Sequence, residues 1–313
     1  MKKKSPRDLS GVLFFPVTPF HANGEVNLDA LAEHIQNGVA HKPGAVFVAC
    51  GTGEFHALEV GEFETVVRAA VEATAGHVPV FAGCGGSLAQ ARQFAAAAQR
   101  AGADGLLLLP PYLVSCPPEG VVAYVEQVAA SSSLPLIVYQ RNNAVFTPET
   151  AVKVASLPNV IGFKDGVGRL DDMQRIVLAV RKAIGDKPFQ FFNGMPTAEM
   201  AQQAYRAIGV PLYSSAVFCF APEVALAFYS ALERNDVART EALLRDFYTP
   251  LVELRNKVPG YAVSLIKTAT RLNGIASGPV RAPFVEPTPE HVAELERIIA
   301  AGRALCEPTS AVA

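Results

Sequence analysis

The sequence has 313 residues, of which 50% are hydrophobic and 18% are charged, and its mean hydropathy is +0.24. This composition can bury a large core, so it excludes an intrinsically disordered protein. The formal net charge is only −2 and no basic stripe is present, which argues against nucleic-acid binding through phosphate contacts. No apolar run reaches the ~18 residues of a membrane span, so we expect a cytoplasmic protein without membrane partners.

Cysteine and histidine spacing gives no sign of a disulfide framework or a metal site. The five cysteines form no CxxC pair, and the six histidines form no HxH or HExxH pattern. We therefore predict reduced, buried thiols and no metal. The cysteines are Cys50, Cys84, Cys116, Cys219 and Cys306.

Eight short apolar runs follow one another, each separated from the next by room for one helix and two loops. They are continuously apolar rather than alternating, as expected of parallel strands that are covered on both faces. The runs are residues 12–15, 45–49, 78–82, 105–109, 134–139, 160–164, 189–192 and 210–217.

Helical patterns with start and stop signals lie between these runs. Ser87 and Gln90 form a capping box before an alanine-rich segment that ends at Gly102, and Thr147-Pro148 is a second helix start. Further helices are predicted at residues 171–183 and 197–208, with glycine as the stop. After the eighth run the chain becomes entirely helical. Those helices are predicted at residues 223–234, 237–248, 261–272 and 289–305.

This repeated order of strand and helix predicts an α/β fold, a (β/α)₈ TIM barrel with a C-terminal helical extension. We place the catalytic barrel at residues 1–222 and the helical region packed on it at residues 223–313. The competing fold is an open, doubly wound sheet, which usually carries a glycine-rich dinucleotide site after its first strand. The first run here ends in Pro16-Val17-Thr18-Pro19-Phe20, without that fingerprint.

The end of the sixth apolar run holds the strongest candidate for chemistry. Lys164 closes the run on the same strand face as Gly162, and we expect this glycine to leave room for the lysine side chain. An amine among apolar walls has a lowered pKa, and its neutral form can attack a ketone to form a Schiff base. A strand-end lysine that reaches solvent is the equally weighted alternative. Lys267 is a rival amine, but its position in a helix favours a structural role.

Four other strand ends carry groups that suit an acidic substrate. Tyr139 and Arg141 share a strand face, where a tyrosine can relay protons and an arginine can bind a carboxylate. Tyr139 can equally be a core aromatic residue with a hydrated hydroxyl. Gly51 and Thr52 offer backbone N–H groups and a hydroxyl to an anion, or else form only a tight turn. The last two strand ends contribute further candidates, which are Gly194 and Ser215.

Taken together, these segments resemble the dihydrodipicolinate synthase/N-acetylneuraminate lyase family over nearly the whole chain. Members are aldolases and dehydratases that form Schiff bases on a (β/α)₈ barrel. The resemblance implies that Lys164 forms the Schiff base, that Tyr139 relays protons as a phenolate or through water, and that Thr52 holds the carboxylate beside the ketone. The segments that carry it are Pro16-Val17-Thr18-Pro19-Phe20, Gly51-Thr52-Gly53-Glu54, Tyr139 and Phe163-Lys164-Asp165.

Two departures from the family pattern point away from the synthases. The usual Gly-Thr-Thr-Gly-Glu-Ser is here Cys-Gly-Thr-Gly-Glu-Phe at residues 50–55, with one hydroxyl fewer, and the usual double tyrosine is Tyr112-Leu113. Residues 139–142 and 193–199 instead resemble a dehydratase branch, a group of lyases that removes water and carbon dioxide from a 2-oxo dicarboxylic sugar acid. In that reading Arg141 steers the distal carboxylate, and Ser215 is a further contact.

The resemblance also implies a homo-oligomer, either a dimer or a tetramer, and no cofactor other than the lysine–substrate imine. The alternative enzyme is a pyruvate-dependent aldolase or synthase of the same family. The alternative without catalysis is a sensor, a barrel that binds a 2-oxo acid and does not convert it.

Overall fold

The computed structural model describes residues 5–112, 114–141 and 143–307, within which eight parallel strands close into a barrel. Leu13 of the first strand pairs with Ala45 of the second and with Ser214 of the eighth, which closes the ring. The predicted barrel and its eight strands are therefore confirmed. The strands are β1 (Leu13–Phe14), β2 (Ala45–Val48), β3 (Val80–Cys84), β4 (Gly105–Leu108), β5 (Leu136–Gln140), β6 (Val160–Asp165), β7 (Gln190–Asn193) and β8 (Leu212–Ser215).

Helices separate the strands, and several begin and end where the local sequence predicts. The Ser87 hydroxyl accepts from the Gln90 amide while the Gln90 side chain accepts from the Ser87 amide, which satisfies two N–H groups that would otherwise lack partners. The helices are α1 (Leu28–Ala40), α2 (Val60–Thr74), α3 (Leu88–Arg100), α4 (Pro118–Ala129), α5 (Pro148–Ala155), α6 (Leu170–Ile184), α7 (Gln202–Ala207), α8 (Pro222–Glu233), α9 (Val237–Leu243), α10 (Thr249–Asn256), α11 (Tyr261–Leu272) and α12 (Pro289–Ala304).

Two predicted helices differ from the observed ones. The segment after β7 starts as a 3₁₀ turn, Ala198–Ala201, and Asn193 ties this turn to the strand by donating to the Ala198 carbonyl. The helix predicted to stop at residue 248 instead continues through the π-helical turn Leu244–Tyr248 into α10. Pro250, which has no N–H to donate, lies in the first turn of α10, directly after this wider turn.

The interior of the barrel contains a stack of aromatic rings. Phe15 lies parallel to Phe47 with 4.5 Å between ring centroids, and Phe47 lies parallel to Phe81 at 4.8 Å. Apolar side chains on both sides of residue 222, such as Phe163 and Tyr248, belong to one continuous core. The division at residue 222 thus remains a prediction based on the order of the elements.

All five cysteines are free thiols, and three of them are buried. The expectation that all five are buried is wrong, because Cys116 lies in the exposed loop before α4 and Cys306 is only partly covered. None of the helices in the described ranges combines the length and the apolar character that crossing a bilayer requires.

Candidate active site

A cavity of about 450 Å³ opens at the carboxyl ends of the strands. Parallel strands point their carboxyl ends to one face of a barrel, so side chains that are distant in sequence meet there. Of the candidates from the sequence, six line this cavity. They are Gly51, Thr52, Tyr139, Arg141, Lys164 and Gly194.

Lys164 reaches the cavity from the end of β6 and is only 5% exposed. Its Nζ lies 4.2 Å from the centroid of the Phe15 ring and 4.8 Å from that of Tyr139. Burial lowers the pKa of this amine to about 7, because the charged form is poorly solvated there. A large fraction of the amine is therefore neutral and nucleophilic near pH 7.

The space for the lysine side chain comes from Gly194, not from Gly162. A Cβ atom at position 194 would lie 2.6 Å from Lys164 Cε and 2.8 Å from the Tyr139 ring. The three atoms nearest to a Cβ at position 162 belong instead to Phe192, Gln190 and Ile137. The expectation for Gly162 is therefore wrong. The lysine side chain needs a glycine at the end of the neighbouring strand β7. The alternation of residues along β6 alone does not reveal this requirement.

Tyr139 lies beside the amine, with its hydroxyl hydrogen-bonded on two sides. The hydroxyl donates to the Gly194 carbonyl at 2.8 Å and accepts from Arg141 Nη1 at 3.4 Å. Burial raises the pKa of the phenol, and the positive charge of Arg141 only partly opposes this effect. The resting tyrosine is therefore a neutral phenol, which favours proton relay through water over a standing phenolate base.

A buried polar network behind the site fixes the ends of β5 and β6. Asp165 points to the opposite face from Lys164 and accepts from Gln140 Nε2 at 2.7 Å and from the Val167 amide at 2.9 Å. The Tyr205 hydroxyl also donates to this carboxylate. Because these bonds hold the strand ends in register, they hold Tyr139 and Lys164 side by side.

The loop after β2 presents Gly51 and Thr52 to the cavity and is anchored by the two residues that follow. The Gly53 carbonyl accepts from Thr18 Oγ1 at 2.7 Å. Glu54 is fully buried and accepts from Lys267 Nζ at 2.7 Å. Lys267 thus has a structural role, as its helical position predicts, and Thr52 projects from a rigid turn.

Ser215 is the one candidate that the structure does not place in the cavity wall. Tyr213 packs against Phe228 outside the barrel, so alternation along β8 turns Ser214 inward and Ser215 outward. The Ser215 hydroxyl donates to Glu199 Oε1 at 2.6 Å. Burial raises the pKa of Glu199 to about 7.

The sequence did not single out the C-terminal helices as part of the site, yet they form one wall of the cavity. Arg255 of α10 and Tyr261 and Ile266 of α11 line it, together with Phe284 from the segment before α12. In the sequence, Arg255 is an arginine near the end of a short helix, and this pattern is too common to indicate a functional site. Leu113 and Asn142, which belong to the segments compared with the family pattern in the sequence, lie outside the described residues.

No group of three or more His, Cys, Asp or Glu side chains within the described ranges is arranged to hold a metal ion. The geometry instead brings together an amine, a phenol and an arginine in an apolar cavity.

The sequence profile of the dihydrodipicolinate synthetase family matches residues 8–302. The chain belongs to this family. In overall structure it resembles dihydrodipicolinate synthase from Oceanobacillus iheyensis, with a TM-score of 0.87 and 23% identity over 95% of this chain and 97% of that one.

Two bacterial relatives are more similar in sequence. One is a probable 5-dehydro-4-deoxyglucarate dehydratase 1 of Streptomyces coelicolor, 55% identical over 95% of this chain and 94% of the relative. The other is a probable 5-dehydro-4-deoxyglucarate dehydratase of Delftia acidovorans, 42% identical over 94% of this chain and 98% of the relative.

Proposed function

We propose that the protein is a lyase that converts 5-dehydro-4-deoxy-D-glucarate to 2,5-dioxopentanoate, carbon dioxide and water through a Schiff base on Lys164. The observation that carries this proposal is the Lys164 amine, buried beside Tyr139 in a cavity that also contains arginine. The sequence similarity to dehydratases of this name over most of the chain supports the choice of substrate.

In the first half of the reaction the amine forms an iminium, which then accepts electrons. Neutral Lys164 attacks the C5 ketone and releases its oxygen as water, which leaves an iminium. The iminium acidifies the C4 methylene, and a water molecule held by the Tyr139 hydroxyl removes one proton. The resulting enamine pushes out the C3 hydroxyl as a second water, which gives a conjugated iminium.

The second half removes the distal carboxylate. Because the conjugated iminium reaches C2, the electron pair of the C1–C2 bond can flow into it as carbon dioxide leaves. The dienamine that remains takes up a proton at C4, which restores the iminium, and its C2 enol gains a proton at C3 and loses the hydroxyl proton to become the aldehyde. Hydrolysis of the imine then consumes one water and frees Lys164, so the net products are one carbon dioxide, one water and the five-carbon product.

The remaining candidate residues would bind and orient the substrate. We assign the carboxylate beside the ketone to Thr52 and the N–H groups of its turn, including Gly51. Gly194 gives the lysine side chain its room, and its carbonyl orients the Tyr139 hydroxyl. Arg141 donates to that hydroxyl and favours its deprotonated form as protons move.

The test is a product assay combined with covalent trapping. With 5-dehydro-4-deoxyglucarate we expect equal amounts of carbon dioxide and 2,5-dioxopentanoate, and after borohydride reduction an adduct on the peptide that contains Lys164. Release of pyruvate without carbon dioxide would instead support the aldolase alternative. Tight binding without any product would support a sensor. An adduct on Lys267 would refute the assignment of the nucleophile.

A further inference from the structure

Two arginines line the cavity, and they differ in what holds them. Arg141 Nη1 lies 3.4 Å from the Tyr139 hydroxyl, at the end of the cavity where Lys164 reacts. Arg255 lies on the wall formed by the C-terminal helices, and its Nη1 donates to Thr197 Oγ1 at 2.7 Å. Its Nε and Nη2 both donate to the side-chain oxygen of Asn256, at 3.1 and 3.0 Å.

Arg255 keeps donors available in a pattern that suits a carboxylate. A guanidinium has five N–H groups, and the bonds to Thr197 and Asn256 use three of them. One N–H group then remains on each terminal nitrogen, and both can donate to a carboxylate. Both present partners are neutral oxygens. Within the described ranges, no salt bridge joins Arg255 to an acidic side chain.

The charges along the cavity wall also favour an anionic ligand. Lys164, Arg141 and Arg255 line it, and Glu199 is the one acidic residue among the described lining residues. Glu199 already accepts from the Ser215 hydroxyl. Its other oxygen, Oε2, is buried without a hydrogen-bond partner among the described residues, and burial raises the pKa of Glu199 to about 7, so this carboxyl is partly neutral at pH 7. The lining therefore offers more positive than negative charge to a second carboxylate of the substrate.

The separation that the chain allows between the partners of Lys164 and of Arg255 suits a six-carbon acid. Gly194 abuts the Lys164 side chain, and Thr197, which holds Arg255, follows three residues later, a span of at most about 11 Å. A six-carbon acid joined to the lysine can cross this gap with the help of the arginine side chain.

We propose that Arg255 is the specificity-determining residue that binds the carboxylate distal to the reacting ketone, with Thr197 and Asn256 holding its guanidinium in place. This inference rests on the proposed function, and it replaces the sequence-based expectation that Arg141 has this role. Arg141 has more free donors than Arg255 within the described residues, but its guanidinium lies at the Tyr139 hydroxyl, at the end of the cavity that holds the reacting ketone rather than the distal carboxylate.

The test compares two 2-oxo acids of the same chain length by titration calorimetry. 2-Oxoadipate has the carbon skeleton and both carboxylates of the proposed substrate but lacks its hydroxyl groups, and 2-oxohexanoate lacks the distal carboxylate. The unmodified protein should bind 2-oxoadipate at least tenfold more tightly. Arg255→Gln should weaken binding of 2-oxoadipate tenfold or more and change binding of 2-oxohexanoate less than twofold, which also confirms that the variant is folded.

Three further variants sharpen the comparison. Arg255→Lys should keep part of the preference, because it retains the charge without the paired donors. Arg141→Gln and the exposed Arg175→Gln on α6 should keep all of it. If Arg255→Gln retains the preference, or if Arg141→Gln abolishes it, the proposal for Arg255 is overturned.

Borohydride trapping of 2-oxoadipate separates this inference from the proposed function. An Arg255-dependent preference without an adduct on Lys164 would support the carboxylate site and contradict the Schiff base. An adduct on Lys164 with an unchanged preference in Arg255→Gln would do the opposite. With the full substrate, Arg255→Gln should raise KM more than it lowers kcat, since this contact weakens as carbon dioxide leaves.

Discussion

At the scale of single residues, the reactivity that we propose for Lys164 arises from what surrounds it. No carboxylate pairs with its amine in the described residues, and the nearest rings are those of Phe15 and Tyr139. Cys50 does not supply a charge either, because burial raises the pKa of its thiol to about 12. The same burial that makes the amine nucleophilic destabilises its protonated form in the folded protein.

This cost predicts that Lys164→Met abolishes turnover yet stabilises the fold at neutral pH. The pKa of Lys164 is about 7 when folded, against an ordinary value of 10.5, so the unfolded chain binds more protons between these values. The contribution of this lysine to stability therefore rises with pH across that window. The variant should exceed the parent by a few kcal/mol at pH 7, and the excess should shrink toward pH 10.

Denaturant unfolding at several pH values measures this difference, with activity followed in parallel. The exposed Lys153→Met on α5 is the control for the loss of a lysine side chain, and its activity and stability should stay close to those of the parent. An excess stability of Lys164→Met that stayed constant from pH 7 to pH 10 would contradict a depressed lysine pKa.

At the scale of elements, the end of β7 determines how much room Lys164, the proposed nucleophile, has. Gly194 lies where a side chain would overlap both Lys164 and Tyr139. Its backbone is also engaged, since the amide donates to the Asp165 carbonyl and the carbonyl accepts from the Tyr139 hydroxyl. The glycine thus cannot shift away without disturbing the ends of both β5 and β6.

We therefore predict that Gly194→Ala lowers kcat/KM by at least a hundredfold while the barrel remains folded. The added methyl group would push the Lys164 amine away from its position, and a displacement of about 1 Å can lower the rate about a hundredfold. Gly61→Ala on α2 is a matched control, because its Cβ would meet no atom closer than 3.7 Å. Kinetics and circular dichroism of both variants provide the measurement. Near-normal activity in Gly194→Ala would show that this close contact is not needed.

The elements also show how far the sequence predicts the site. Lys164, Tyr139 and Thr52 end apolar strands, and the strand pattern alone places them on one face of the barrel. The choice between Ser214 and Ser215 required the position of Tyr213, which depends on packing against α8. Arg255 could not be predicted, because its place at the cavity depends on how α10 packs against the barrel and not on any local pattern.

At the scale of the whole molecule, the C-terminal helices are part of the active site and not only an appendage. Lys267 of α11 donates to Glu54, which lies directly after the turn that carries Thr52, and both side chains are fully buried. Arg281, beyond α11, donates its backbone amide to the other Glu54 oxygen at 2.8 Å. The loop after β2 is therefore positioned by residues more than two hundred positions away in sequence.

This arrangement predicts that Lys267→Met destabilises the fold strongly, by about 3–5 kcal/mol, because it leaves the Glu54 carboxylate buried without a counter-charge. The double variant Glu54→Gln/Lys267→Met should recover much of the loss, since glutamine is neutral and can still accept from the Arg281 amide. Lys257→Met, which breaks the partly exposed Lys257–Glu294 pair, is the control and should cost about 1 kcal/mol or less.

Equilibrium unfolding of the three variants measures the free energies, and KM for the substrate reports on the turn. We expect Lys267→Met to raise KM as well, because Thr52 loses the anchor that follows it in the chain, whereas Lys257→Met should leave KM unchanged. If the double variant were no more stable than Lys267→Met alone, the cost would come from the lost contact between Lys267 Nζ and the Phe20 ring, 3.8 Å from its centroid, and not from the unpaired carboxylate. In that case α11 would be held at this end of the barrel by the aromatic ring of Phe20 rather than by the carboxylate of Glu54.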